Sequence, residues 1–322
     1  MKTVVSVPGK INLMGEHAIV HGKPALLSAV NLRMRVTVED LIREDGSRKT
    51  EDRLIIKCAE PDNYVRKICD LVFQKYGITD IPPLKITLDS DIPPGYHLGS
   101  SAATAAGVAG ALIYHIKKLW NPVAINQLAY EAEKIIHGNP SGGDNTAVTS
   151  GGMIWFRKEL EFLKSIWQLP VKFPQNLNNL YLFDTGRPAE STGEVVLYIG
   201  TQYRIHHNRY QKIFDNNETE TKNMAIAIKN TDEKEFMSSI RKGEKTLEQM
   251  GAVSLKAKKI IREIEKSGGA AKILGGGGRK SGVGYLLCYL PESIYPGINK
   301  KYGDKIRKVN LGEEGIRLEQ KE

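Results

Sequence analysis

Cysteine is scarce in this chain: Cys58, Cys69 and Cys288 are all there are in 322 residues, scattered, odd in number and never in CxxC spacing. That argues against a disulfide framework and a thiolate zinc site, and it suits a reducing, cytoplasmic setting. No run of eighteen apolar residues exists. The best candidate, Ala102 to Ile113, is interrupted by Thr104, Gly107 and Gly110 and stops at Lys117-Lys118, so it reads as a buried helix and not as a membrane span. The N-terminus offers only Val4-Val5 before Ser6 and Pro8, too little for a secretory signal. The net charge is +9, but its carriers, such as Arg33, Arg35, Lys57, Lys134 and Lys258-Lys259, are dispersed and are not interleaved with aromatics. This pattern argues against a nucleic-acid partner and suits attraction of small anions.

What is present is ordinary for a globular protein: 41% hydrophobic and 26% charged residues, at a length that exceeds the usual single core and so predicts two domains. Lys2 to Val7 reads as a strand stopped by Pro8-Gly9. Leu32, Met34, Val36 and Val38 alternate with polar residues, which predicts a half-buried strand. Arg53–Cys58 and Leu84–Leu88 are further strands, and Tyr64, Ile68, Leu71 and Val72 mark a helix ending near Gly77. Helices are predicted from Ser100 to about Trp120 and from about Ile125 to Ile136. The composition shifts after Gly151-Gly152, placing a domain boundary near 152–158. The second half opens with strands at Met153–Phe156 and Leu180–Phe183. Helices follow near 192–210, 218–230, 233–249 and 255–266, and two strands flank Gly275–Gly278. Without regular strand–helix alternation, the class is α+β.

Four segments carry chemistry. Pro94-Gly95-Tyr96-His97-Leu98-Gly99-Ser100-Ser101-Ala102 runs a glycine-bearing loop into an alanine-rich helix, whose free N–H groups and dipole make a phosphate cradle. A serine cap on a core helix is the other reading. His137-Gly138-Asn139-Pro140-Ser141-Gly142-Gly143-Asp144-Asn145 cannot continue the preceding helix and so predicts a loop that throws Asp144 clear of it. Glu133 stands eleven residues earlier on that helix, and the two carboxylates suit metal holding and proton acceptance. Asp144 as a cap of the next helix is the alternative. In Pro8-Gly9-Lys10-Ile11-Asn12-Leu13-Met14-Gly15-Glu16-His17, Lys10 is placed to present a fixed charge, unless it is a solvated surface lysine. His17 and His21 lack a third ligand for zinc. Lys272-Ile273-Leu274-Gly275-Gly276-Gly277-Gly278-Arg279-Lys280-Ser281 is not a Walker A loop, because Arg279 stands where glycine must precede the lysine and a strand follows. Its glycines suit close backbone approach.

Taken together, the order and wording of these motifs resemble the GHMP kinase superfamily. The His137–Asn145 segment, Gly151-Gly152 and Gly15–Ala25 resemble its mevalonate kinase branch. The resemblance is dense over 1–155 and later thins to Asp184–Pro188, Ser191-Thr192 and the glycine run. It implies a two-domain fold, with a ribosomal-protein-S5-domain-2-like α/β domain over 1–155 and a ferredoxin-like α+β domain over 156–322. It further implies ATP-dependent phosphorylation of mevalonate, with Mg²⁺ and ATP as cofactors and no nucleic-acid or membrane partner, and it admits a homodimer. Position by position, Asp144 and Lys10 match the catalytic pair, Pro94 to Ala102 the ATP loop, and Ser101 (or Ser100) and Glu133 the Mg²⁺ ligands. Glu16, His17, Asp144 and Thr192 match the substrate pocket. His97 replaces a usual glycine, and Arg279 and Lys280 depart from the usual third motif; either could meet an anion at the cleft. Other readings are a sugar, homoserine or mevalonate 3-kinase, a diphosphomevalonate decarboxylase, or a non-catalytic nucleotide-binding regulator.

Overall fold

The computed structural model describes residues 1–41, 53–138, 140–160 and 163–321; Asn139 of the second loop motif lies outside them. Strand β1 (Lys2–Met14) and strand β2 (Pro24–Asp40) form a long antiparallel pair. β1 therefore does not stop at Pro8-Gly9 as expected. The register shifts between those two residues, and this bulge accommodates the proline's missing N–H without ending the strand. In β2 the alternation holds: Leu32, Met34, Val36 and Val38 are buried while Arg35 is exposed.

Strand β3 (Leu54–Lys57) leads into helix α1 (Asn63–Lys75), and strand β4 (Leu84–Ser90) lies between β3 and β2. Helix α2 (Ser100–Lys117) packs on this sheet; a Cβ at Gly107 would come 2.7 Å from Val36 Cγ2, so glycine allows the close approach. α2 ends before Trp120 because Lys118 turns left-handed (φ 56°). Asn121 then caps helix α3 (Pro122–His137), accepting from the Val123 and Ala124 N–H groups. Helix α4 (Gly143–Ser150) follows, and strands β5 (Met153–Lys158) and β6 (Lys164–Gln168) extend the sheet from β2.

The chain then makes a second sheet. Strand β7 (Leu180–Asp184) is followed by helices α5 (Thr192–Ile205), α6 (His207–Asn230), α7 (Glu233–Met250) and α8 (Leu255–Lys266). The expected gap between 210 and 218 is helical instead; the break falls at His206, which leaves the helical conformation (φ −123°, ψ 49°). Strands β8 (Ala270–Ile273) and β9 (Tyr285–Tyr289), helix α9 (Tyr295–Tyr302) and strand β10 (Ile306–Lys308) complete the order β10-β7-β9-β8. Strand β11 (Arg317–Lys321) returns to the first sheet and pairs with β1.

Candidate active site

Lys10 sits within β1, where its N–H donates to Leu98 O at 2.9 Å and so pins the loop before α2. Gly99 caps that helix in the left-handed conformation (φ 75°), and a Cβ there would come 2.8 Å from Lys10 Cγ. Glycine at this position thus lets the lysine stem lie against the helix tip. The side chain is 4% exposed, and its Nζ lies 3.0 Å from Asp144 Oδ1, whose own side chain is 41% exposed. Asn12 Oδ1 accepts from the same ammonium at 3.2 Å. Asp144 is not on a free loop, as expected, but in the first turn of α4. The capping position belongs to Gly142 (φ 90°), with no side-chain cap. A carboxylate in a first helical turn is favoured by the dipole, while its oxygen remains free to meet Lys10.

Glu133, on the inner face of α3, is buried. Tyr64 Oη donates to its Oε1 at 3.0 Å, and His137 Nε2 lies 3.6 Å from its Oε2. Ser101 Oγ, at the start of α2, is 3.5 Å from the same His137 nitrogen. Burial pushes the Glu133 carboxyl up, and the nearby Asp144 charge pushes it further. A buried carboxylate whose ionisation is made costly in this way fits a cation between protein and ligand. Among the described residues no three metal-ligating side chains cluster.

The other wall of the cleft comes from the second half of the chain. His17 Nε2 donates to Gly276 O at 3.1 Å, and burial pushes that imidazole down to about 4. Thr192, the first residue of α5, has Oγ1 3.3 Å from His97 Nδ1; a Cβ at Gly276 would come 2.8 Å from that hydroxyl. The glycine run is therefore used for close approach. Gly95 (φ 79°) faces Arg187, whose Nε is 2.8 Å from where a Cβ would stand, and the Tyr96 ring lies 4.9 Å from that of Tyr285.

Glu16 departs from the cleft pattern. It pairs with Lys272, and both side chains are essentially inaccessible to solvent. Lys272 also donates to Asn12 O at 3.2 Å and Ile273 O at 2.7 Å. Glu244 of α7, equally buried, accepts from the Ile273 N–H at 2.9 Å, and burial raises its carboxyl well above the usual range. Sequence reasoning missed this cluster; its one signal is a lone charge in the apolar run Ala270–Ile273. The segment that carries Arg279 and Lys280 is tied down by Glu190. Glu190 Oε2 accepts from both backbone N–H groups at 2.7 and 3.1 Å, and the Arg279 guanidinium stacks 3.5 Å over the Tyr198 ring.

Residues 63–152 match the model for the GHMP kinases N terminal domain. A mevalonate kinase of Archaeoglobus fulgidus is 30% identical over 285 residues, covering 85% of this chain and 89% of that one. The chain belongs to the mevalonate kinase family. A mevalonate kinase of Pyrococcus abyssi is 26% identical over 98% of both chains. The fold is that of L. major mevalonate kinase in complex with R-mevalonate (TM-score 0.78, 20% identity, 96% of each chain). It is shared more broadly, as with a D-glycero-D-manno-heptose 1-phosphate kinase (TM-score 0.72, 16% identity, 99% of each chain). The mevalonate kinase family thus accounts for nearly the whole length, including the second half where the motifs thin.

Proposed function

We propose that this chain transfers the γ-phosphoryl group of ATP to the 5-hydroxyl of (R)-mevalonate, giving 5-phosphomevalonate and ADP. The observation that carries the reading is the 3.0 Å contact between Lys10 Nζ and Asp144 Oδ1, beside the Gly99-capped tip of α2. Phosphoryl transfer asks for alignment and charge cancellation more than covalent help. The free N–H groups at the tip of α2 suit the phosphates of ATP, with the loop Pro94–Ala102 around them. Asp144 orients the hydroxyl and takes its proton as the oxygen bonds to the γ-phosphorus and the bond to the bridging oxygen of ADP breaks. Lys10 supplies positive charge where the alkoxide develops. Glu133 and Ser101 would hold Mg²⁺, which neutralises phosphate charge when bound. His17 and Thr192 face the alcohol side, with Glu16 behind them.

The division into domains at 155/156, a cytoplasmic location and a homodimer belong to the same proposal. Among the described residues no helix is long and apolar enough to cross a membrane. The test is ADP release with Mg²⁺-ATP and a panel of mevalonate, galactose and homoserine, with phosphorus NMR to locate the new ester. Turnover of galactose and not of mevalonate would overturn the substrate. Asp144→Asn is expected to lower kcat by about 10²–10⁴ with the circular dichroism spectrum unchanged; a loss under about tenfold would remove Asp144 from the chemistry.

A further inference from the structure

Three consecutive loop residues join the tip of α2 to both walls of the cleft. Leu98 O accepts from the Lys10 N–H, and Gly99 lies against the Lys10 stem. One residue earlier, His97 reaches the opposite wall: its Nδ1 lies 3.3 Å from Thr192 Oγ1. Its ring fills space left by two glycines. A Cβ on Gly275 would overlap that of His97, and one on Gly284 would come 3.4 Å from His97 Cδ2. His97 adopts φ 63°, a conformation a non-glycine residue keeps when its surroundings fix it. Its Nε2 is buried, and packing, Thr192 and the Gly277 backbone hold the ring. Burial, followed by the Lys10 charge, pushes the imidazole down to about 4, so at neutral pH it acts by shape and hydrogen bonding.

We infer that His97 is a positioning residue that couples the nucleotide loop to the alcohol pocket through Thr192, so that each substrate binds better when the other is present. The inference rests on the kinase reading above, with Thr192 on the alcohol side. A phosphate that settles the loop settles the His97 backbone. The ring, wedged between Gly275 and Gly284, carries that placement to the first turn of α5. Lys10, Asp144 and Gly99 do not depend on the imidazole, so the chemical step should survive its removal.

The test uses the full-length enzyme and two substitutions that tolerate a positive φ. His97→Gly is expected to raise the Michaelis constants for mevalonate and for ATP together, each about five- to tenfold with the other substrate saturating, because the coupling between two sites is reciprocal, and to lower kcat far less. By calorimetry, the gain in mevalonate affinity caused by a nonhydrolysable ATP analogue should fall toward none. His97→Asn, which keeps a polar group near Thr192, should recover most of the lost affinity. A double-mutant cycle with Thr192→Val should be non-additive. A rise in only one of the two Michaelis constants, a loss in kcat as large as the rise in both, or additivity in the cycle would each overturn the inference. A wild-type enzyme that turns over no mevalonate would instead fell the kinase reading, and this inference with it.

Discussion

His17 and His97 hold their imidazoles inside the protein, and burial pushes each down to about 4 from an ordinary 6.5. Unfolded, each takes up a proton near pH 6.5; folded, each resists until about pH 4. Their contribution to stability is therefore complete above 6.5 and is lost as pH falls toward 4. The raised carboxyls of Glu133 and Glu244 act in the opposite sense, because the folded state accepts their protons more readily. The histidine effect is best read as a difference between variants. Urea unfolding of the wild type and of His97→Asn at pH 7 and pH 5 should show the pH-dependent loss of stability shrinking in the variant by about 1–2 kcal/mol. An equal loss in both would mean that the imidazole reaches solvent. The residue scale is also where the sequence reads least well. Lys10 and Asp144 stand in separate motifs, and only their resemblance to a family brings them together before the fold does. Lys272 and Glu16, 256 residues apart, have no spacing that announces a pair. The partner of Arg279 is equally hidden, since nothing local marks Glu190 as an internal anion.

At the scale of elements, periodicity and caps carried most of the information. α8 follows Ser254, which accepts from the Ala257 N–H, and α7 follows Asp232, which accepts from the Glu235 N–H. Both begin close to where their sequence signals place them. The extent of α4 is not legible because its residues Gly143–Ser150 show no apolar stripe; one bond to α3 and one within its own first turn hold it instead. Asn145 Nδ2 donates to Asn126 Oδ1 at 2.6 Å and Thr146 Oγ1 to Gly142 O at 2.7 Å. β6 was missed for another reason: it is short, half-exposed and pairs with β5 alone among the described strands. Since α4 carries Asp144, its end is a sensitive point. Gly151 (φ 69°) closes the helix, and a Cβ there would overlap the backbone nitrogen of Gly315. Gly151→Ala should cost about 2–4 kcal/mol in chemical denaturation, through strain in φ and displacement of backbone. Gly200→Ala, in α5 with open space around it, should stabilise by about 0.5–1 kcal/mol. Equal effects at the two glycines would mean that the approach of 315 to 151 is not part of the folded state.

At the scale of the molecule, the two sheets are bound together by the order in which the chain uses them. After completing the second sheet with β10, the chain passes back across the first: Val30 bridges Leu311, Gly151 bridges Glu314, and β11 pairs with β1. Arg33 fastens this return by donating to Glu314 O and Gly315 O, each at 2.8 Å. One buried cluster also spans the two sheets, since Val5, Leu182, Phe236 and Leu287 belong to it together. Such a molecule should unfold in one step, and its tryptophans allow the point to be tested. Trp155 and Trp167 lie in strands β5 and β6 of the first sheet and Trp120 packs beside α2 on it, whereas the long helices α5–α8 that accompany the second sheet dominate its helical signal. In the wild type, the fluorescence and far-ultraviolet circular dichroism transitions in urea should coincide. Ending the chain after Val309 removes the returning segment but leaves β10, so the fluorescence transition should move to lower urea and separate from the circular dichroism transition. Coincident transitions in the shortened chain would show that the buried core alone couples the sheets, and that β11 serves the edge of β1 without joining the two halves.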